Sequence, residues 1–258
     1  MLELLPPELP WLLVIAFLAG GIDAAVGGGG LIQLPGLFTA LPQQHPALLL
    51  GSNKFTSMFG TATAAWRYAR RITIPWRPVL LAATAAFVCS FGGASAVSLL
   101  PREAVRPLVL LLLIAILAYT LLKKDFGALQ RPTVVGRRQL AIAVALGGAI
   151  GFYDGFFGPG TGSFLVFLFV RWLGYDFLNA SASAKLLNTA TNLAALILFS
   201  LKGHVWWHFA VVLAVSNVVG SVLGTRMAMK HGAGFVRVFF IGVVSLLILK
   251  TSYDAFLR

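Results

Sequence analysis

The sequence predicts an all-α polytopic membrane protein made of two inverted repeats. Each repeat is a glycine-broken re-entrant helical hairpin followed by three transmembrane helices. Three observations carry this. The chain is 59% hydrophobic and 11% charged, with a mean hydropathy of +0.88, against roughly 25% charged residues in a soluble domain. Apolar stretches of bilayer-spanning length, about 20 residues, recur along it. The chain also matches itself at one constant offset, the one that carries Asp23 onto Asp154.

The uninterrupted apolar stretches predict spans at 46–66, 77–100, 104–123, 179–201, 207–229 and 235–253. Trp66, Trp76, Trp172, Trp206 and Trp207 fall near their ends, the depth at which amphipathic rings meet headgroups. Two further stretches, 11–40 and 139–172, are apolar but interrupted. The first contains Gly27 to Gly30, and the second Gly158-Pro159-Gly160-Thr161-Gly162. Consecutive glycines cost about 1 kcal/mol each in a helix interior, and Pro159 adds a missing donor and a clash. Each stretch therefore reads as a hairpin of two helical limbs. Broken backbone at membrane depth must be enclosed by protein or line a watery cavity.

The same offset carries Gly20, Gly27 and Gly29 onto Gly151, Gly158 and Gly160. Ser52 and Lys54 fall on Ser183 and Lys185, Trp76 on Trp207, Ser90 on Ser221, and Val105-Arg106 on Val236-Arg237. Matched Asp, Lys and Trp at one spacing are not chance apolar coincidence. The organisation is a first membrane repeat (1–124), a basic cytoplasmic linker (125–138) and a second membrane repeat (139–258). Repeats broken at corresponding positions mark secondary transporters.

Basic residues set the expected orientation, because cytoplasmic loops retain an excess of Lys and Arg. A hairpin followed by three spans crosses an odd number of times, so the second repeat begins on the opposite side from the first. On that arrangement 13 of the 20 basic residues fall in cytoplasmic segments 67–77, 123–138, 171–177 and 226–237. Five fall outside: Arg102, Arg106, Lys202, Lys250 and Arg258. The matched loops also differ, four arginines in 67–77 against a lone Lys202 in 198–208. Both termini are expected on the outer side. The net charge of +12 is then a topology signal, with no nucleic acid as partner. The N-terminal segment Met1 to Pro10 contains Glu3 and Glu8 and no basic residue, which does not fit a signal peptide.

The remaining two basic residues are Lys54 and Lys185. With Asp23 and Asp154 they are the charges left inside predicted membrane segments. Each costs roughly 2.5–3.5 kcal/mol at mid-membrane on an insertion scale, so each needs a partner, water or a substrate. The plain reading pairs Asp23 with Lys54 and Asp154 with Lys185 to brace the hairpins. The functional reading uses them. The second limb of each hairpin opens with unpaired N–H groups, an anion-attracting end by dipole and hydrogen bonding. The expected anion contacts are Lys54, Lys185 and the backbone around Gly28, Gly29, Gly30 and Leu31, and around Gly160, Thr161, Gly162 and Ser163. Ser57 and Asn188 lie one helical turn after the lysines, on the same helix face, and Asn192 one turn further. Asp23 and Asp154 take the coupling or gating role. Other Ser and Thr side chains are expected to bond between helices, and the regularly spaced glycines at 147, 151 and 155 and at 220 and 224 to let helices approach.

Other chemistry is poorly served. Cys89 is the single cysteine, so no intrachain disulfide forms. His204 and His208 are four apart, but they flank Trp206 and Trp207 and suit a headgroup belt better than a metal. No nucleophile–base set is visible, so an enzyme is not expected, and no cofactor or metal is called for. The partners implied are a small anionic substrate and the lipid bilayer, with homo-oligomerisation open.

The run Gly21-Ile-Asp-Ala-Ala-Val-Gly-Gly-Gly-Gly-Leu-Ile-Gln-Leu-Pro35 resembles the sulfite exporter TauE/SafE family of permeases. So do Gly51-Ser-Asn-Lys-Phe-Thr-Ser-Met-Phe-Gly60 and Gly151-Phe-Tyr-Asp-Gly-Phe-Phe-Gly-Pro-Gly-Thr-Gly162. The resemblance implies a bacterial inner-membrane permease for sulfite, sulfonates or related sulfur-containing anions. The sequence thus points to a secondary anion transporter working by alternating access, with a coupled proton as one option. A passive anion channel and a cation transporter using Asp23 and Asp154 are the alternatives.

Overall fold

A computed structural model describes residues 5–96, 114, 135–156 and 158–256. The expected span at 104–123, apart from Ile114, and the linker up to residue 134 lie outside the described residues. Every regular element among the described residues is helical. The order is α1 (Leu9–Val26), α2 (Gly30–Ala40), α3 (Pro46–Ala69), α4 (Trp76–Ala96), α5 (Gly136–Phe156), α6 (Thr161–Leu168), α7 (Phe177–Leu201) and α8 (Trp207–Phe256). A π-turn, Phe169–Leu173, extends α6. Gly232, with φ 72°, interrupts α8 between the two spans expected there.

Both predicted breaks are present. Gly27 and Gly28 have φ of 82° and 92°, and Gly158 and Gly160 have φ of 88° and 85°. These are left-handed conformations that side chains with a Cβ rarely adopt. The first limbs are longer than half-depth hairpin limbs. α1 has 18 residues and α5 has 21, and each is long and apolar enough to cross a membrane. The second limbs are short, 11 residues in α2 and eight in α6. α4, α7 and α8 also meet the length and apolarity of a span. α3 has 24 residues but falls short in apolarity. It carries Ser52, Asn53, Lys54, Thr56 and Thr61, which are buried inside the bundle rather than turned to lipid.

Small residues set the helix pairing. Gly220 and Gly224 of α8 lie against the backbone of Phe17 and Gly21 in α1. Ser216 donates to Leu13 O at 2.7 Å, in the same register. The equivalent pair is α4 with α5, where Gly147, Gly151 and Gly155 meet the backbone of Ala82, Ala86 and Ser90. Residue numbers rise together in both pairs, so each pair runs side by side in one direction. Gly20 against Asn217 and Gly151 against Ala86 are one contact repeated through the internal offset. α3 and α8 also run together. Ser52 Oγ accepts from Trp206 N at 3.0 Å, Thr56 donates to Ala210 O at 3.3 Å, Ser221 donates to Gly60 O at 2.7 Å, and Arg67 Nε donates to Thr225 at 2.8 Å. Ser90 donating to Thr191 O at 3.1 Å is the offset partner of the Ser221–Gly60 bond.

The expectation of bonds between helices for Ser and Thr holds only in part. Thr61, Thr63, Thr189 and Thr225 each donate to the carbonyl one turn earlier in their own helix, the local alternative open to a hydroxyl at that distance. The indoles fit the belt: Trp66, Trp76, Trp172 and Trp207 are all exposed, and Arg70 lies over the Trp66 ring.

A Cβ at Gly147 or Gly220 would overlap a neighbouring carbonyl, whereas one at Gly234 would meet nothing within 4 Å. Gly147→Val and Gly220→Val are expected to destabilise by about 1–3 kcal/mol through overpacking. Gly234→Ala should be neutral or slightly stabilising. Thermal denaturation of purified protein in detergent measures all three.

Candidate functional site

The site forms where the two breaks meet. A Cβ on Gly27 would overlap the backbone of Gly162 and Ser163, and one on Gly30 would stand 3.7 Å from Pro159 Cα. A Cβ on Gly160 would reach the Leu31 side chain at 3.2 Å. Glycine is needed here for approach as well as for φ. The start of α6 thus lies directly against the end of α1.

The four intramembrane charges form two ion pairs, and these overturn the plain pairing. Lys54 Nζ stands 2.9 Å from Asp154 Oδ2, and Lys185 Nζ stands 2.8 Å from Asp23 Oδ2. Each lysine takes the carboxylate of the other repeat. Each Asp helix also packs on a helix of the other repeat, α1 on α8 and α5 on α4. Lys54 is 5% exposed and Lys185 fully buried. Both stand just over two turns into their helices, α3 and α7, about 12 Å from those helix starts.

The breaks leave carbonyls without helical partners, and side chains take them up. Lys54 Nζ also donates to Asp154 O at 2.9 Å. Tyr68 donates to Ala24 O at 3.0 Å, and Tyr153 to Pro159 O at 2.6 Å. Asp23 Oδ1 accepts from Gly29 N at 3.3 Å, so this carboxylate caps α2 while holding Lys185. Part of the expected N–H cradle is already used. Leu31 N donates to Gly28 O, and Thr161 N to Gly158 O. The remaining expected positions sit as follows: Gly28, Gly29, Gly160, Gly162, Ser163, Asn188 and Asn192 are buried, and Gly30 and Ser57 half-buried.

Sequence reasoning does not single out Tyr68, Tyr153, Gln33 or Asn217. Gln33 Oε1 accepts from Asn217 Nδ2 at 3.2 Å, and the same amide donates to Ala16 O. An amide just past the glycine run, and another in the middle of an apolar span, are the available signals. Several buried polar atoms have no partner, among them Ser163 Oγ, Ser181 Oγ, Ser183 Oγ, Asn53 Oδ1, Asn188 Oδ1 and Gln33 Nε2. His204 stacks on His45, with ring centroids 5.8 Å apart. Among the described residues no three His, Cys, Asp or Glu side chains gather as a metal site.

A bundle of apolar helices around two buried, oppositely charged pairs and two broken helices is what a membrane carrier needs. The family described as Sulfite exporter TauE/SafE matches residues 12–251. The chain belongs to this family. It is 35% identical over 252 residues to the "Probable membrane transporter protein YfcA" of Escherichia coli K12, covering 97% of this chain and 91% of that protein. A "Probable membrane transporter protein ORF9" of Sinorhizobium sp. is 34% identical over 247 residues, covering 95% and 93%. A "Probable membrane transporter protein" of Haemophilus influenzae is 32% identical over 244 residues, covering 94% of each. No solved structure matches. As a TauE/SafE family member the chain is an integral membrane protein of the transporter class.

Removing one partner of a buried ion pair strands the other charge, at about 3–5 kcal/mol. Lys54→Ala is therefore expected to lower stability by about that amount, through the stranded Asp154 carboxylate. The double replacement Lys54→Met with Asp154→Leu should recover most of it. Thermal melts of the two variants in detergent give the comparison.

Proposed function

We propose that this TauE/SafE protein is a secondary transporter of small anions, with sulfite and sulfonates as the leading substrates, working by alternating access. The observation that carries this is the pair of buried cross-repeat bridges, Lys54–Asp154 and Lys185–Asp23, placed where two broken helices touch. Intramembrane ionisable groups are costly and mark transport pathways. Half-helix starts suit anionic groups.

Charge accounting gives the mechanism. The empty site is neutral, two ammonium groups against two carboxylates. An entering anion replaces one carboxylate as a lysine's partner. The displaced carboxylate then carries the accompanying proton. Anion and proton then move together with the site neutral throughout, and the change of partner shifts the population between two access states. Asp23 and Asp154 act as the gating groups, with Lys54, Lys185 and the backbone and polar groups around the breaks as the anion's contacts.

The arrangement of the lysine helices supports the inverted reading. α3 and α7 are partners under the internal offset, which carries Lys54 onto Lys185. α3 runs alongside α8 in the same direction, and its start lies against the turn between α7 and α8, through His45 on His204 and Gly51 on His204 and Phe199. α7 joins α8 through that short turn at 202–206, so α7 runs against α3. Lys54 and Lys185 then approach the centre from opposite faces. Family membership supports inner-membrane placement, and the basic-residue distribution supports external termini.

Lys54→Gln combined with Lys185→Gln is expected to abolish sulfite uptake into proteoliposomes. Asp23→Asn is expected to remove the proton movement that accompanies it, read by an internal pH dye. Wild-type flux in the lysine double variant would refute the site. Reporters at Arg70 and at His204 are expected on opposite membrane faces.

A further inference from the structure

The two repeats share their ion pairs but not the polar groups around them. Lys54 is held by two bonds, to Asp154 Oδ2 and to Asp154 O, and both side chains of that pair are 6% exposed. Lys185 makes a single bond to its carboxylate, and the Asp23 side chain is 20% exposed. Three buried polar side chains belong to the Lys185 side, Ser181 and Asn188 on its helix and Ser163 at the start of α6; among the described residues the two hydroxyls have no partner. Ser181, Lys185 and Asn188 are spaced four and three apart on α7, so they form one stripe. Ser163 follows Gly162, where a Cβ would stand 3.1 Å from Asn188 Nδ2. The start of α6 is therefore seated against that stripe.

The matching positions in the first repeat are Ile32, Leu50 and Ser57. Two of the three are apolar. The first repeat has unpartnered atoms of its own in Asn53 and Gln33. Asn53 points about 100° around α3 from Lys54, and Gln33 is tied through its oxygen to Asn217. Buried polar groups left unpaired are costly and rare, and such a group needs a reason. A ligand oxygen that takes up the hydroxyls supplies one.

Resting on the transport reading above, we infer that the anion seats off the pseudo-symmetric centre, on the Ser163 and Ser181 hydroxyls, Lys185 and Asn188 Nδ2. The second repeat sets which anion is carried, and one chain holds one anion. The Asp23–Lys185 pair is the bridge that opens to the substrate. Asp154–Lys54, with its extra backbone bond, stays shut during binding, and Lys54 meets the anion only when access alternates.

The test is saturable uptake of labelled sulfite and methanesulfonate into proteoliposomes of the full chain. Each variant is also checked by thermal melting. Ser163→Ala and Ser181→Ala are each expected to raise KM about tenfold, the worth of a hydrogen bond to a charged group, with melting temperature held. Ser181→Thr should restore KM. Ser183 is the control, an equally buried and unpartnered hydroxyl roughly 160° around α7 from Lys185. Ser183→Ala should leave KM within about twofold. The inference is overturned if Ser163→Ala and Ser181→Ala leave KM unchanged while wild-type uptake saturates; anion transport then stands with a different seat. It is equally overturned if Ser183→Ala raises KM as much as they do. Wild-type protein that takes up neither anion saturably would overturn the transport reading, and this inference with it.

Discussion

Two buried lysines, each answered by a carboxylate from the opposite repeat, are the constraint on which the rest of the structure depends. A charge at this depth cannot be left alone, so neither repeat closes by itself. Asp154 meets Lys54 and Asp23 meets Lys185 in a bundle where α5 packs on α4 and α1 on α8. Glycines at every fourth position permit that approach. The helix breaks follow from the same demand. They end α1 and α5 beside the lysines, and the carbonyls so freed are taken by Lys54, Tyr68 and Tyr153.

The arrangement is neutral but poised. Buried ion pairs contribute little net stability and are costly to break by halves. The second pair is the looser of the two, with one hydrogen bond to its lysine and a partly exposed carboxylate. In the proposed cycle the two access states differ in whether a carboxylate or the substrate anion partners the ammonium. The polar groups are asymmetric, Ser163 and Ser181 against Ile32 and Leu50, and the proposed anion seat lies on the polar side.

Much of this is legible in the sequence. The repeat, the glycine breaks, the four charges and the helix-packing glycines all depend on local composition and spacing. The cross-repeat pairing is not legible. Asp23 and Lys54 belong to one repeat and lie near each other along the chain, whereas Asp23 and Lys185 lie 162 apart. A spacing argument favours the near pair when packing is unknown. Limb length is hidden for a related reason: the glycines locate the break but not the depth reached by α1 or α5. Thr61 and Ser181 look alike in a polar helix. Only the structure separates the hydroxyl bonded to its own helix from the one left without a partner. Tyr68, set among Arg67, Arg70 and Arg71, is hidden because its partner, Ala24 O, is a carbonyl exposed by a break elsewhere.

The central claim is the exchange of partners between repeats. A double-mutant cycle on thermal stability tests it most directly, using Asp23→Asn with Lys185→Gln and Asp23→Asn with Lys54→Gln. Strong coupling is expected in the first cycle and none in the second, with sulfite reducing the coupling of the first. Coupling between Asp23 and Lys54, with none between Asp23 and Lys185, would contradict the account.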